Sequence, residues 1–136
     1  MKKRIASFVF ALILLIISSI AAFAAETPNS IQSDPVFYSI STTLTTYKTA
    51  SFSADTNDIV GYIKIWRCWL QKKVDGEWVF ASSLPHPTYV EYNTIGYDAY
   101  MDYSSYIPSD GNTYRIGVRW EADGHYVTRY SNQRTF

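Results

Sequence analysis

The chain has one cysteine, Cys68, in 136 residues. No disulfide can close within it, so its fold must be held by packing and hydrogen bonding alone. Histidine is almost as scarce: His86 and His125 are the two present. Both sit in turn-like settings, Leu84-Pro85-His86-Pro87 and Asp123-Gly124-His125, without nucleophile-elbow or zinc-ligand spacing around them. No catalytic residue, metal ligand or cofactor is expected. Lys and Arg form no cluster beyond the extreme N-terminus, which argues against nucleic acid, because neutralising phosphates needs concentrated positive charge. After the N-terminal segment no apolar stretch approaches the ~20 residues of a membrane span. Nor does a 3.6-residue apolar period run long enough to bury a helix. The oxygen-rich run Asp55-Thr56-Asn57-Asp58 lacks the glycine and distant glutamate of an EF-hand loop and reads as an ordinary polar turn.

What is present begins with an export signature. Lys2, Lys3 and Arg4 precede the apolar run 8–17 and then Ala22-Phe23-Ala24, the charged, apolar and small-x-small regions of a secretory signal peptide. Cleavage after Ala24 leaves 112 residues. The balance of 12 Lys+Arg against 12 Asp+Glu then becomes 9 against 12, a net charge of −3. We therefore expect a signal peptide at 1–24, a flexible, proline-containing leader at 25–35 and one domain at 36–136. The expected location is extracellular, with no membrane span in the mature protein.

The domain reads as strands throughout. Segments 36–46 and 48–56 are β-branched and alternating; 62–74 is the longest apolar run, and Asp75-Gly76 separates it from 77–82. An Asp-Gly pair between apolar runs signals a hairpin, since both central positions of a type I′ turn need positive φ. Shorter strands are expected at 88–93 and 97–103, split by Thr94-Ile95-Gly96. In 112–121, Tyr114, Ile116, Val118 and Trp120 alternate with Arg115, Gly117, Arg119 and Glu121. A last strand, 125–135, follows Asp123-Gly124. Seven or eight strands with turns about every ten residues point to an all-β, antiparallel immunoglobulin-like β-sandwich, with a small β-barrel as the alternative. Strict alternation in the central strand puts Trp66, Cys68 and Leu70 on one face, with Trp66 as the core tryptophan, and Ile63, Ile65, Arg67 and Trp69 on the other. Tyr114, just after a turn, has the place of a tyrosine corner.

Aromatics dominate the chemistry: 12 Tyr and 4 Trp. Six tyrosines fall between Tyr89 and Tyr106. In a strand they divide, with Tyr97, Ala99, Met101 and Tyr103 facing inward and Asp98, Tyr100 and Asp102 outward. Cys68 is expected to be a buried small hydrophobe. Exposed Tyr and Trp can stack on sugars or anchor a protein partner, though β-propensity alone also recruits them to sheet surfaces. The candidate ligand-binding residues are Trp69, Tyr100, Trp78 and Arg67. The function that fits is a secreted, non-catalytic module binding a cell-envelope, glycan or protein ligand through surface aromatics. The alternative is a secreted bacteriocin-like effector, which would inhibit the growth of other cells.

Two segments carry a resemblance. Trp69-Leu70-Gln71-Lys72-Lys73-Val74-Asp75-Gly76-Glu77-Trp78 and Ser109-Asp110-Gly111-Asn112-Thr113-Tyr114-Arg115-Ile116 resemble small secreted single-domain β-sandwich proteins of Gram-positive, clostridial-type bacteria. The likeness implies export and a β-sandwich. It implies no catalytic or binding residue, and Cys68 alone excludes any internal disulfide such relatives contain.

Overall fold

The computed structural model describes residues 34–136; the expected signal peptide and all but the last two residues of the expected leader lie outside the described residues. Those two, Asp34 and Pro35, are tied to the domain. The Asp34 carboxylate accepts from the backbone N–H of Val36 and Phe37, both at 2.9 Å, and meets His125 Nε2 at 3.1 Å. The Asn57 side chain donates to both backbone carbonyls.

The described residues are all-β. Strands are β1 (Phe37–Leu44), β2 (Thr49–Val74), β3 (Glu77–Leu84), β4 (Glu91–Asp102), β5 (Thr113–Ala122), β6 (His125–Tyr130) and β7 (Arg134–Thr135). All pairings are antiparallel and join one sheet. The hairpin turns expected from sequence are present. Asp75 and Gly76 have φ of 51° and 88°, and Asp123 and Gly124 have 48° and 80°, the positive pair that a type I′ turn demands.

Two pairs of expected strands are each a single strand. Segments 48–56 and 62–74 fuse into the 26-residue β2, and 88–93 and 97–103 are largely absorbed into β4. The β2–β4 ladder runs from Thr49↔Asp102 to Ile63↔Glu91 and holds Thr94 and Gly96 of β4 against Val60 and Asp55 of β2. The run 55–58, expected as a polar turn, is instead extended strand, with Asp55 and Thr56 paired to β1. At the opposite end of the chain, the expected strand 125–135 is instead interrupted at 131–133.

Within β2 the pairing slips between Asp55↔Gly96 and Val60↔Thr94, and there the sheet bends. Ala54 pairs with Tyr97, and Ile65 pairs with Trp120. Eleven residues of straight strand would hold these pairs about 36 Å apart, yet the Tyr97 and Trp120 rings meet edge to face with centroids 5.5 Å apart. The sheet is therefore curled into half a barrel. Its concave side holds the core: Leu44, Phe52, Tyr97 and Tyr103 from the first half of the curl, Ile63, Ile65, Cys68, Leu70, Ile116, Val118 and Trp120 from the second.

Trp66 is not in that core. The β2–β5 register moves two residues on β2, from Ile65 to Arg67, while β5 moves one, from Trp120 to Arg119. This is a β-bulge, and its extra residue, Trp66, shifts the alternation by one. Ile63 and Ile65 consequently join Cys68 and Leu70 inside, while Trp66 and Arg67 both face outward. Trp66 is 45% exposed, and the core tryptophan is Trp120, at 0%. Tyr114 is buried, and its hydroxyl ties the strand to the preceding turn by donating to the Asp110 side chain, Oδ2 at 2.8 Å, where a tyrosine corner would bond to backbone.

Candidate ligand-binding face

The convex side of β3, β2, β5 and β6 carries the candidate site. Strand pairing sets its rows. Across β2 and β5, Gln71 lies opposite Arg115, Trp69 opposite Gly117, and Arg67 opposite Arg119. On β6, Tyr130 flanks Gly117, Thr128 flanks Arg119 and Tyr126 flanks Glu121. On β3, Phe80 flanks Gln71 and Trp78 flanks Lys73. A second bulge, at Ala81, separates Phe80↔Gln71 from Ser82↔Leu70. It keeps Phe80 outside while Leu84, further along, is buried.

These side chains interleave as rings and guanidinium groups. Arg115 lies 4.4 Å from the Trp78 ring centre and 4.0 Å from that of Tyr130. Arg119 lies 5.2 Å from Trp66 and 4.8 Å from Tyr126. Between the two, Trp69 rests over Gly117 and meets Tyr130 edge-on, centroids 6.1 Å apart. Stacking of this kind contributes ~0.5–1 kcal/mol per exposed contact, so two rings on each guanidinium bias it toward this position. Gln71 Oε1 accepts from Arg115 Nε at 2.8 Å.

Within the ladder is an open depression of about 220 Å³ lined by Arg67, Trp69, Phe80, Arg119 and Thr128. Among the described residues no carboxylate pairs with Arg67 or Arg119. The acid on this face, Glu121, is already engaged: Lys64 Nζ lies 3.1 Å from Oε2 and Tyr62 Oη donates to Oε1 at 2.6 Å. Burial alone raises the Glu121 carboxyl, and hydrogen bonds from Tyr62, Lys64 and Tyr126 more than reverse this, leaving it below the ordinary glutamate value.

Of the four residues singled out from sequence, the fold brings three together. Trp69, Trp78 and Arg67 share this face. Tyr100 does not belong to it: it pairs with Ser51 near the start of β2 and is 64% exposed. There it lies between Asp98 and Asp102 on the outer side of the first half of the curl, as its alternation predicts. Trp66, Phe80, Arg115, Arg119, Tyr126, Thr128 and Tyr130 were not legible as site residues. One signal pointed to them: a glycine at the centre of the cleanest strand, between two arginines, is the mark of a close approach by something flat.

Among the described residues no group of three or more His, Cys, Asp or Glu converges as a metal site. No helix among them is long and apolar enough to cross a membrane. No family model, curated protein or solved structure matches the chain.

Proposed function

We propose that this chain is an exported, non-catalytic binding module that meets an extracellular ligand with the Trp/Arg/Tyr face of β3, β2, β5 and β6. One observation carries the reading. Seven aromatic or arginine side chains form two contact clusters on the convex surface of the sheet, Trp78–Arg115–Tyr130–Trp69 and Trp66–Arg119–Tyr126, where core packing does not require them. Large rings and arginines pre-ordered on a rigid sheet lose little entropy on binding, which is why such residues dominate binding hot spots. Export rests on the sequence of residues 1–24, and kinship with the clostridial-type secreted group rests on the two segments quoted above.

The fold reading that accompanies it is an immunoglobulin-like two-layer arrangement. Its support is the Tyr97–Trp120 contact across the curl and the Tyr114–Asp110 tie at the start of β5.

The test is direct. Protein recovered from the culture medium should have the intact mass of a chain beginning at Ala25. It should be retained on glycan arrays or cell-envelope fractions, with tryptophan fluorescence changing on binding. Retention should fall at least tenfold in Trp69→Ala. No retention on any fraction would sink the reading.

A further inference from the structure

We infer that the depression between Arg67 and Arg119 receives the carboxylate-bearing ring of an acidic sugar, so that the face reads a uronic-acid-type glycan. This rests on the binding-module reading above and gives its ligand a chemistry.

Arg67 and Arg119 are direct cross-strand partners. Like charges placed opposite one another destabilise a sheet, and here no protein carboxylate relieves them. Lys73 and Arg115 lie on the same side of the same strands, while Lys64 there is neutralised by Glu121, so positive charge exceeds negative on this face of a domain whose acids outnumber its bases. The opposite sign collects elsewhere: Asp98 and Asp102 are exposed on β4, far along β2. A ligand that places an anion between Arg67 and Arg119 removes the repulsion and gains two charge-assisted hydrogen-bond donors. Guanidinium groups suit a planar, two-oxygen carboxylate because the fork engages both oxygens at once.

The walls select a sugar to carry that acid. Trp69 and Phe80 offer flat apolar surface beside the charges, and Phe80 is 58% exposed. The C–H face of a pyranose packs against such rings, while its hydroxyls find the Thr128 hydroxyl. An acidic peptide side chain has no such face to present to Trp69 and Phe80. Size agrees. A depression of about 220 Å³ is smaller than the roughly 300–1,000 Å³ pockets that hold drug-sized ligands. It takes one ring, and neighbouring sugars in a polymer would run along the ladder toward Trp78 or Trp66. Arg119 is held in place by Trp66 and Tyr126 before any ligand arrives, so little ordering cost falls on binding.

The experiment measures binding of the exported chain to three immobilised polymers: polygalacturonate, its fully methyl-esterified form and polyglutamate. We expect binding to polygalacturonate at least tenfold tighter than to either of the others, and at least a tenfold loss in Arg67→Gln. Arg67 is exposed and its loss removes the repulsion with Arg119, so a urea midpoint no lower than that of wild type will show that this variant folds. Arg119→Lys keeps the charge but loses the planar fork and the stacking, and should also weaken polygalacturonate at least tenfold. Equal binding to the methyl ester would show a neutral-sugar site. Equal binding to polyglutamate would show recognition of charge without sugar, and unchanged binding in Arg67→Gln would place the site elsewhere. Each of these overturns the inference while the binding-module reading stands, as does retention on envelope fractions without binding to polygalacturonate. Absence of binding to every polymer and every envelope fraction overturns both.

Discussion

Gly117 is the floor on which the Trp69 indole rests: a β-carbon at position 117 would overlap Trp69 Cε2, Cζ2 and Nε1. The glycine sits in mid-strand, paired with Trp69 on one side and Tyr130 on the other. Its backbone surface lets the indole lie flat and reach Tyr130. Gly117→Ala should therefore act on the site more than on the fold. Trp69 is half-buried at the surface and its ring can tilt away, so the expected stability change stays within about 1 kcal/mol, with part of the strain offset by the lower chain entropy of alanine. The Trp69 indole N–H resonance should shift while that of Trp120 does not. Ligand retention should fall along with Trp69→Ala. An unmoved Trp69 resonance would contradict the contact.

The bulge at Trp66 makes a second prediction, and it separates two tryptophans that the sequence alone does not. Trp120→Ala should cost roughly 3–5 kcal/mol, the usual loss for a large aromatic removed from a core. Trp66→Ala should cost about 1 kcal/mol or less, since it removes surface stacking against Arg119 and Tyr126. Urea melts of the two variants decide. A larger loss at Trp66 would mean that β2 alternates without the bulge.

Acid stability should depend on Asp110. Its carboxyl is held down to about 2, by the Asn112 side chain first and then by the Tyr114 hydroxyl, the Asn112 backbone N–H and the charge of Lys72, against the opposing effect of burial. Because the folded value lies below the ordinary aspartate value of 3.8, the ionised form binds these partners only in the native state. The contribution is complete above about pH 5 and is lost as pH falls through 3.8 toward 2. Asp110→Asn should flatten the acid limb of a stability-against-pH curve in that window and leave the curve above pH 5 parallel to wild type. An identical acid limb in the variant would show that the tie between turn and strand carries no linkage.

Cys68 should be chemically silent. It is fully buried and burial pushes its thiol up to about 12, against a smaller opposing hydrogen bond from Tyr103. At pH 8 the native protein should resist thiol reagents and migrate as a monomer on non-reducing gels, and in denaturant one thiol should react. Fast labelling of the native protein would place Cys68 outside the core.

Sequence determined a good deal of this protein. Alternation in 112–121 fixed which residues of β5 face the core, because a pleated strand allows only two sides. The Asp75-Gly76 and Asp123-Gly124 pairs fixed both tight hairpins, because positive φ is costly for most other residues. The split of Tyr97 and Tyr103 inward from Tyr100 outward followed from the same two-residue period, and the place of Tyr114 just after a turn foreshadowed a tie between turn and strand, though not its partner Asp110.

Tertiary structure decided the rest. The extra residue at Trp66 is invisible in composition, since a bulge exists only relative to a partner strand, and it exchanges the inward and outward sets of half of β2. The bend between Asp55 and Val60 likewise depends on the slip against β4, and it is what brings Tyr97 against Trp120. Above all, the site is a cross-strand object. Arg67 and Arg119 lie 52 positions apart in the chain, and nothing local to either residue records that the sheet sets them side by side, with Trp69 over Gly117 next to them.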